Sequence, residues 1–262
     1  MDTTGPALLT VEEHLAGLES ASETLLRHAG QTWLGARVPT CPDWDVLDLV
    51  AHQGMVHRWA IAAIRQDRAG MGNASLHETE GRTSADPLAW LRQGMTALTD
   101  TLRAAPDDLE AVVFLAEAPP AKAFWARRQC HETTMHAVDA LAAAAGRLPT
   151  AADVWFGPDL ALDGIDELLL GFWQRSRSEL RSAVPYAVHV RPDDAPVAWL
   201  VTTGEQPPRC HRLGAGDRPE VDAVLAGSAV DLHLALWNRG GTVDDPDGVL
   251  EQWRTAGRIT WG

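Results

Sequence analysis

From Ala121 to Ala145 the chain reads AKAFWARRQCHETTMHAVDALAAAA, with no Gly or Pro inside, Gly146 just past the end and Pro149 barring continuation. This punctuation predicts one long helix, and the rest of the N-terminal half arranges itself around it. Upstream, Thr10-Val11-Glu12-Glu13 has the form of a capping box. Val11, Leu15, Leu18, Ser22 and Leu25 then lay a buried stripe on a helix expected to reach about Arg27. Asp45 can cap a second helix running to about Gln66, with Asp48 as its first-turn acid. Asp86-Pro87 puts a capping side chain before a proline at the first helical position, and Leu88, Leu91, Met95, Leu98 and Leu102 supply the stripe of a third helix.

Breakers gather again between Gly146 and Asp159, through Leu148-Pro149-Thr150 and Gly157-Pro158, so a domain boundary is expected near 150. The expectation is a helical domain over 1–150 and a smaller α+β domain over 151–262, mainly α in all. The second part opens with an amphipathic helix around Ile165 to Arg181. Two strand-like runs follow, Tyr186 to Arg191 and Val197 to Thr203, parted by the turn signal Pro192-Asp193-Asp194. Helices near Ala229–Asn238 and Gly248–Ala256 complete it.

A chain of 262 residues can bury a core without disulfide staples. With 45% hydrophobic and 22% charged residues it has an ordinary globular composition, and no apolar run approaches bilayer length, so no membrane partner is expected. The start, Met1 to Pro6, lacks the basic and apolar regions of a signal peptide, which makes the cytoplasm the expected location. A net charge of −14 repels a phosphate backbone and argues against nucleic acid; the expected ligand is a small molecule. Cys41, Cys130 and Cys210 are odd in number and show no C-x-x-C pairing, so they read as free thiols.

The chemistry gathers on the second and fourth helices. Leu49, His52, Val56, Trp59 and Ala63 fall on one stripe, so His52 should point inward. Glu132 and His136 are four apart and project from one face of the long helix, as two ligands of one metal require. Taken singly, these signals are weak. A histidine on an apolar stripe is more often a hydrogen-bonded core residue than a ligand, and Glu-x-x-x-His is common as a solvated pair. His131-Glu132-x-x-x-His136 superficially matches the metalloprotease H-E-x-x-H. Its extra residue, however, sets the two histidines about 140° apart on the helix, which excludes that reading. His57, five residues after His52, is displaced by the same angle, and His52 is preferred for its stronger stripe.

The segment Val38 to His52, VPTCPDWDVLDLVAH, resembles the signature of the mycothiol-dependent maleylpyruvate isomerase family. Arg127 to Ala140, Asp163 to Glu167 and Leu236-Trp237-Asn238-Arg239 resemble further landmarks of that family in order. The resemblance implies a DinB-like four-helix bundle followed by a sterol-carrier-like α+β domain. It also implies zinc held by His52, Glu132 and His136, and mycothiol as cosubstrate. Arg239 matches a family arginine, where a guanidinium could hold a substrate carboxylate; capping a helix end is the equal alternative. Asp48 could orient His52 or simply cap its helix. Asp139 reads as a salt-bridge or surface residue.

Three N/O ligands leave a position open on the metal, and a thiol taken there becomes a good nucleophile. Added to an electrophilic small molecule, the sulfur either leaves again, giving a cis–trans isomerase, or stays, giving a thiol S-transferase. A hydrolase that activates water at the same metal, and a non-catalytic carrier with a closed metal site, are the alternatives from other classes.

Overall fold

The computed structural model describes residues 9–115, 118–214 and 216–259. The chain divides into two compact units, one made of residues 10–114 and 118–149, the other of residues 150–259 with Leu9 and Leu115.

The first unit is built on four long helices. α1 spans Val11–Gln31, α2 Val46–Ile64, and two short helices, α3 (Arg68–Met71) and α4 (Ala74–Thr83), lead to α5 (Pro87–Ala104) and α6 (Ala121–Ala145). Between α1 and α2 runs a two-stranded hairpin, β1 (Arg37–Val38) with β2 (Cys41–Asp45). α1 packs along α6 and against α5, while α2 packs against α4, α5 and α6. The caps are those the side chains dictate. Thr10 with Glu13, and Asp45 with Asp48, close full capping boxes. Asp86 accepts from the Ala89 N–H, and Gly146 ends α6 at φ 67°, a left-handed conformation that costs glycine little. α1 runs past the expected end at Arg27 because Leu26 and Ala29 continue its buried face. α6 is buried from Phe124 to Ala143 without interruption, so it is the axis on which the unit is assembled.

In the second unit α7 (Pro158–Asp166) continues as a wider, π-helical segment through Glu167–Trp173. The helix expected over Ile165 to Arg181 therefore begins and ends earlier: Gly157-Pro158 starts it, with proline at a position that needs no N–H. A four-stranded sheet follows, formed by β3 (Tyr186–Pro192), β4 (Ala198–Thr203), β5 (Arg209–Leu213) and β6 (Ala223–Gly227) in the order β5-β4-β3-β6. β3 pairs β4 antiparallel and β6 parallel. The sequence showed only β3 and β4. β5 is an edge strand with mostly exposed side chains and so lacks apolar alternation, and β6 joins by non-local parallel pairing. Helices α8 (Ala229–Leu236) and α9 (Val249–Ala256) close the unit. α7 packs against α8 where Gly164 admits the His233 ring; a Cβ there would lie 2.2 Å from His233 Cε1. Asp166 ties α7 to the sheet, accepting from Trp199 Nε1 at 3.1 Å and Arg212 Nε at 2.6 Å. The whole is a mainly α fold with a smaller α+β C-terminal part, and among the described residues no helix is long and apolar enough to cross a membrane.

Candidate metal centre

α2 and α6 bring His52, Glu132 and His136 together. His52 Nε2 lies 3.8 Å from Glu132 Oε1, and His136 Nε2 lies 3.4 Å from the same oxygen. One donor atom from each of the three falls within 4.8 Å of the others. Glu132 Oε1 is buried and makes no hydrogen bond. A buried carboxylate oxygen without a hydrogen bond costs roughly 1–3 kcal/mol or more, and two imidazole nitrogens converge on it. A tetrahedral ion bound at 2.0–2.1 Å spaces its donors roughly 3.3–3.5 Å apart; closing the observed triangle to that size takes small side-chain shifts. Two nitrogens and one oxygen, converging where a buried carboxylate oxygen lacks a hydrogen bond, fit a divalent cation.

The surrounding side chains prepare each donor. Arg128, one turn before Glu132 and itself buried, donates to Glu132 Oε2 at 2.7 Å. Burial opposes ionisation of Glu132, yet the Arg128 charge, with the His136 and His52 imidazoles beside it, holds its carboxyl well below the ordinary range. One oxygen is thereby neutralised and the other left for a ligand role. Asp139 Oδ2 accepts from His136 Nδ1 at 2.9 Å, which puts a proton on Nδ1 and turns Nε2 toward Glu132. Burial disfavours the His136 imidazolium, but Asp139 and Glu132 outweigh it and raise its pKa to about 9. Without metal this imidazole is a cation between two carboxylates; with metal, the ion takes the place of the Nε2 proton.

Two further residues come from the hairpin. The Trp44 ring stacks near-parallel on His136, with centroids 5.8 Å apart at 22°, and lies 4.8 Å from the His52 ring. Cys41 Sγ donates to Asp139 Oδ2 at 3.7 Å.

The structure also assigns contacts to the neighbouring residues that the sequence left between alternatives. Asp139 is not a surface residue; it is fully buried and holds His136. Asp48 caps its helix: Oδ2 accepts the Asp45 N–H at 3.1 Å and Oδ1 pairs with Arg82, so both oxygens are engaged away from His52. His57 is the more deeply buried histidine of α2, with His52 part-exposed, which reverses the stripe argument. α2 is packed by four helices, so one apolar stripe does not identify its inner face. His57 Nε2 instead meets Gln53 at 2.7 Å and Thr133 at 3.1 Å, and burial depresses its pKa to about 3. His131 stands edge-on to His14 with centroids 5.9 Å apart, as the 140° offset from His136 requires. In the second unit Arg239 Nη1 donates to the Trp237 carbonyl at 2.7 Å, beyond the end of α8. Arg128 was missed although it stands four before Glu132, and Asp139, three after His136, was left out of the site although both spacings carry that same helix face.

The mycothiol maleylpyruvate isomerase N-terminal domain model matches residues 15–141, and the MDMPI C-terminal domain model matches residues 159–255. No curated protein matches the sequence. Among solved structures the chain is similar to the mycothiol-dependent maleylpyruvate isomerase, at TM-score 0.55 and 13% identity, over 88% of this chain and 90% of the other. A mutant of that enzyme matches over the same shares at TM-score 0.57 and 13% identity. At that identity the neighbours speak for the fold alone, whereas the two domain models, adjoining and in order, account for most of the chain. The chain belongs to the mycothiol maleylpyruvate isomerase family.

Proposed function

We propose that this chain is a metal-dependent enzyme that activates a low-molecular-weight thiol, mycothiol, for addition to an electrophilic small molecule. His52, Glu132 and His136 would hold a divalent ion, zinc by the nature of the donors. The single observation that carries this is the buried, unbonded Glu132 Oε1 facing two imidazole nitrogens. The relatives' mycothiol dependence supports the choice of thiol. A cytoplasmic location, where thiols stay reduced, belongs to the same proposal.

A bound ion of this kind supplies Lewis acidity that keeps a coordinated thiol nucleophilic at neutral pH. The chain's own residues set the stage. Arg128 keeps Glu132 ionised, Asp139 keeps the His136 proton on Nδ1, and Trp44 stacks on His136 and lies tilted against His52. The thiol sulfur adds to a carbon–carbon double bond conjugated with a carbonyl, and the former double bond rotates. Expulsion of the sulfur gives the trans isomer; protonation with retention of sulfur gives a thioether. Cys41 does not compete as nucleophile, because its thiol is a donor facing a carboxylate. For Arg239 the Trp237 contact favours the helix-end role; a raised KM for a carboxylate substrate in Arg239→Lys would assign it to substrate binding.

The test is metal analysis of the purified protein, with turnover of a maleyl-type electrophile by wild type and by Cys41→Ser/Cys130→Ser/Cys210→Ser. The expected result is one equivalent of metal and mycothiol-dependent turnover in both. Turnover by the wild type without thiol would overturn the proposal and assign the centre to water activation.

A further inference from the structure

The hairpin before α2 has a register that no regular ladder produces. Arg37 pairs with Asp45, and the next residue, Val38, pairs with Cys41. One step on β1 therefore spans four on β2, and Pro42, Asp43 and Trp44 are thrown out as a bulge. Pro42 has no N–H to offer a ladder, which suits it to such a position. The consequence is directional. In a regular strand Cys41 and Trp44, an odd number of residues apart, would face opposite sides; here both meet residues of α6.

Their contacts fall on one imidazole. Rotation of a histidine ring about its last torsion is broad and roughly two-fold, so the side chain by itself does not fix the ring plane. Three rings do so at this centre. Trp44 stacks on His136 at 5.8 Å and 22°, lies 4.8 Å from His52, and the two imidazoles meet edge-on at 5.1 Å and 72°. Each imidazole is therefore bordered by the indole and by the other imidazole. On the far side of His136, Asp139 Oδ2 accepts from Nδ1 at 2.9 Å and from Cys41 Sγ at 3.7 Å. The next residue of the hairpin, Asp45, caps the helix that carries His52. Bulge, cap and His52 are thus one continuous piece of chain.

We propose that the bulge Pro42–Trp44 is the positioning element of the metal centre: Trp44 fixes the planes of the His52 and His136 rings, and Cys41 fixes the carboxylate that orients His136. The inference rests on the metal-binding reading above, and its test separates the two. Cobalt(II) is loaded in place of the native ion, its visible absorption reports ligand geometry, and competition with a chromogenic chelator gives affinity. Partners that orient a metal-bound histidine change affinity about 10–100-fold when removed. Trp44→Ala is expected to weaken cobalt binding about tenfold and to alter the absorption bands. Trp44→Leu, which keeps bulk without a planar face, is expected to show the same altered bands, and Trp44→Phe to restore them. Cys41→Ala is expected to weaken binding about threefold, as a weak donor one bond further out would, with Cys41→Ser recovering part of the loss. Wild-type affinity and unchanged bands in both Trp44→Ala and Trp44→Leu would overturn the inference while leaving the metal site intact. Wild-type protein that takes up neither cobalt nor zinc would overturn the metal reading with it.

Discussion

Replacing Asp139 with Asn tests the wiring of the centre in a way that proton competition makes specific. Asp139 bonds the Nδ1 of His136, so its charge strengthens Nε2 toward a proton and toward a metal alike. A pKa of about 9, against an ordinary 6.5, is roughly 3 kcal/mol of preference for the imidazolium, and Asp139 and Glu132 share it. In the metal-free wild type this stabilisation is fully present below pH 6.5. It is lost as pH rises through 9, so apo stability should fall across that window. Metal must displace the Nε2 proton, and apparent affinity should therefore rise roughly tenfold per pH unit up to about pH 9 and then level. In Asp139→Asn the proton is held less tightly and levelling should come at lower pH. The variant's intrinsic loss of about 10–100-fold should show in full near pH 9.5, where no proton competes. At pH 6.5 the weaker proton and the weaker metal partly cancel. Competition titrations with a chelator from pH 6.5 to 9.5, with urea denaturation of the apo proteins, measure both effects. A gap between wild type and variant that is constant with pH, or widest at pH 6.5, would refute the reasoning.

Two further expectations concern stability. Arg128→Met removes the guanidinium from a buried pair and should cost the apo protein about 3–5 kcal/mol by leaving Glu132 Oε2 buried without its cation. Adding Glu132→Gln should recover most of that in urea unfolding, and no recovery would show that the pair is not the source. In the second unit, Gly164→Ala drives a methyl into the His233 ring and should cost about 1–3 kcal/mol as overpacking. His233→Ala on top of it should relieve the clash, and a Tm unchanged by Gly164→Ala would argue against the close α7–α8 approach.

What the amino-acid order settled by itself is local. Capping boxes at Thr10 and Asp45, the Asp86-Pro87 start and the Gly146 stop concern groups within four residues of one another, and each stands in the structure as read. The Glu132–His136 spacing is of the same kind, since a helix of 3.6 residues per turn brings such a pair onto one face whatever surrounds it. The same rule could have yielded Arg128 and given Asp139 its place in the site, because all four lie along one side of α6. Tertiary structure decided what depends on a second element. Which histidine of α2 reaches Glu132 and His136 could not be read from burial, for α2 is packed by four helices and His57, the deeper of the two, meets Thr133 of α6 instead. The approach of Trp44 and Cys41 to His136 follows from a bulge, a mismatch between two strands that neither strand encodes alone. β5 and β6 were hidden for a related reason: the edge strand has little apolar alternation, and the parallel partner of β3 lies far along the chain. Periodicity records which way a side chain leaves its own backbone; what it meets there is set by packing between elements distant in sequence.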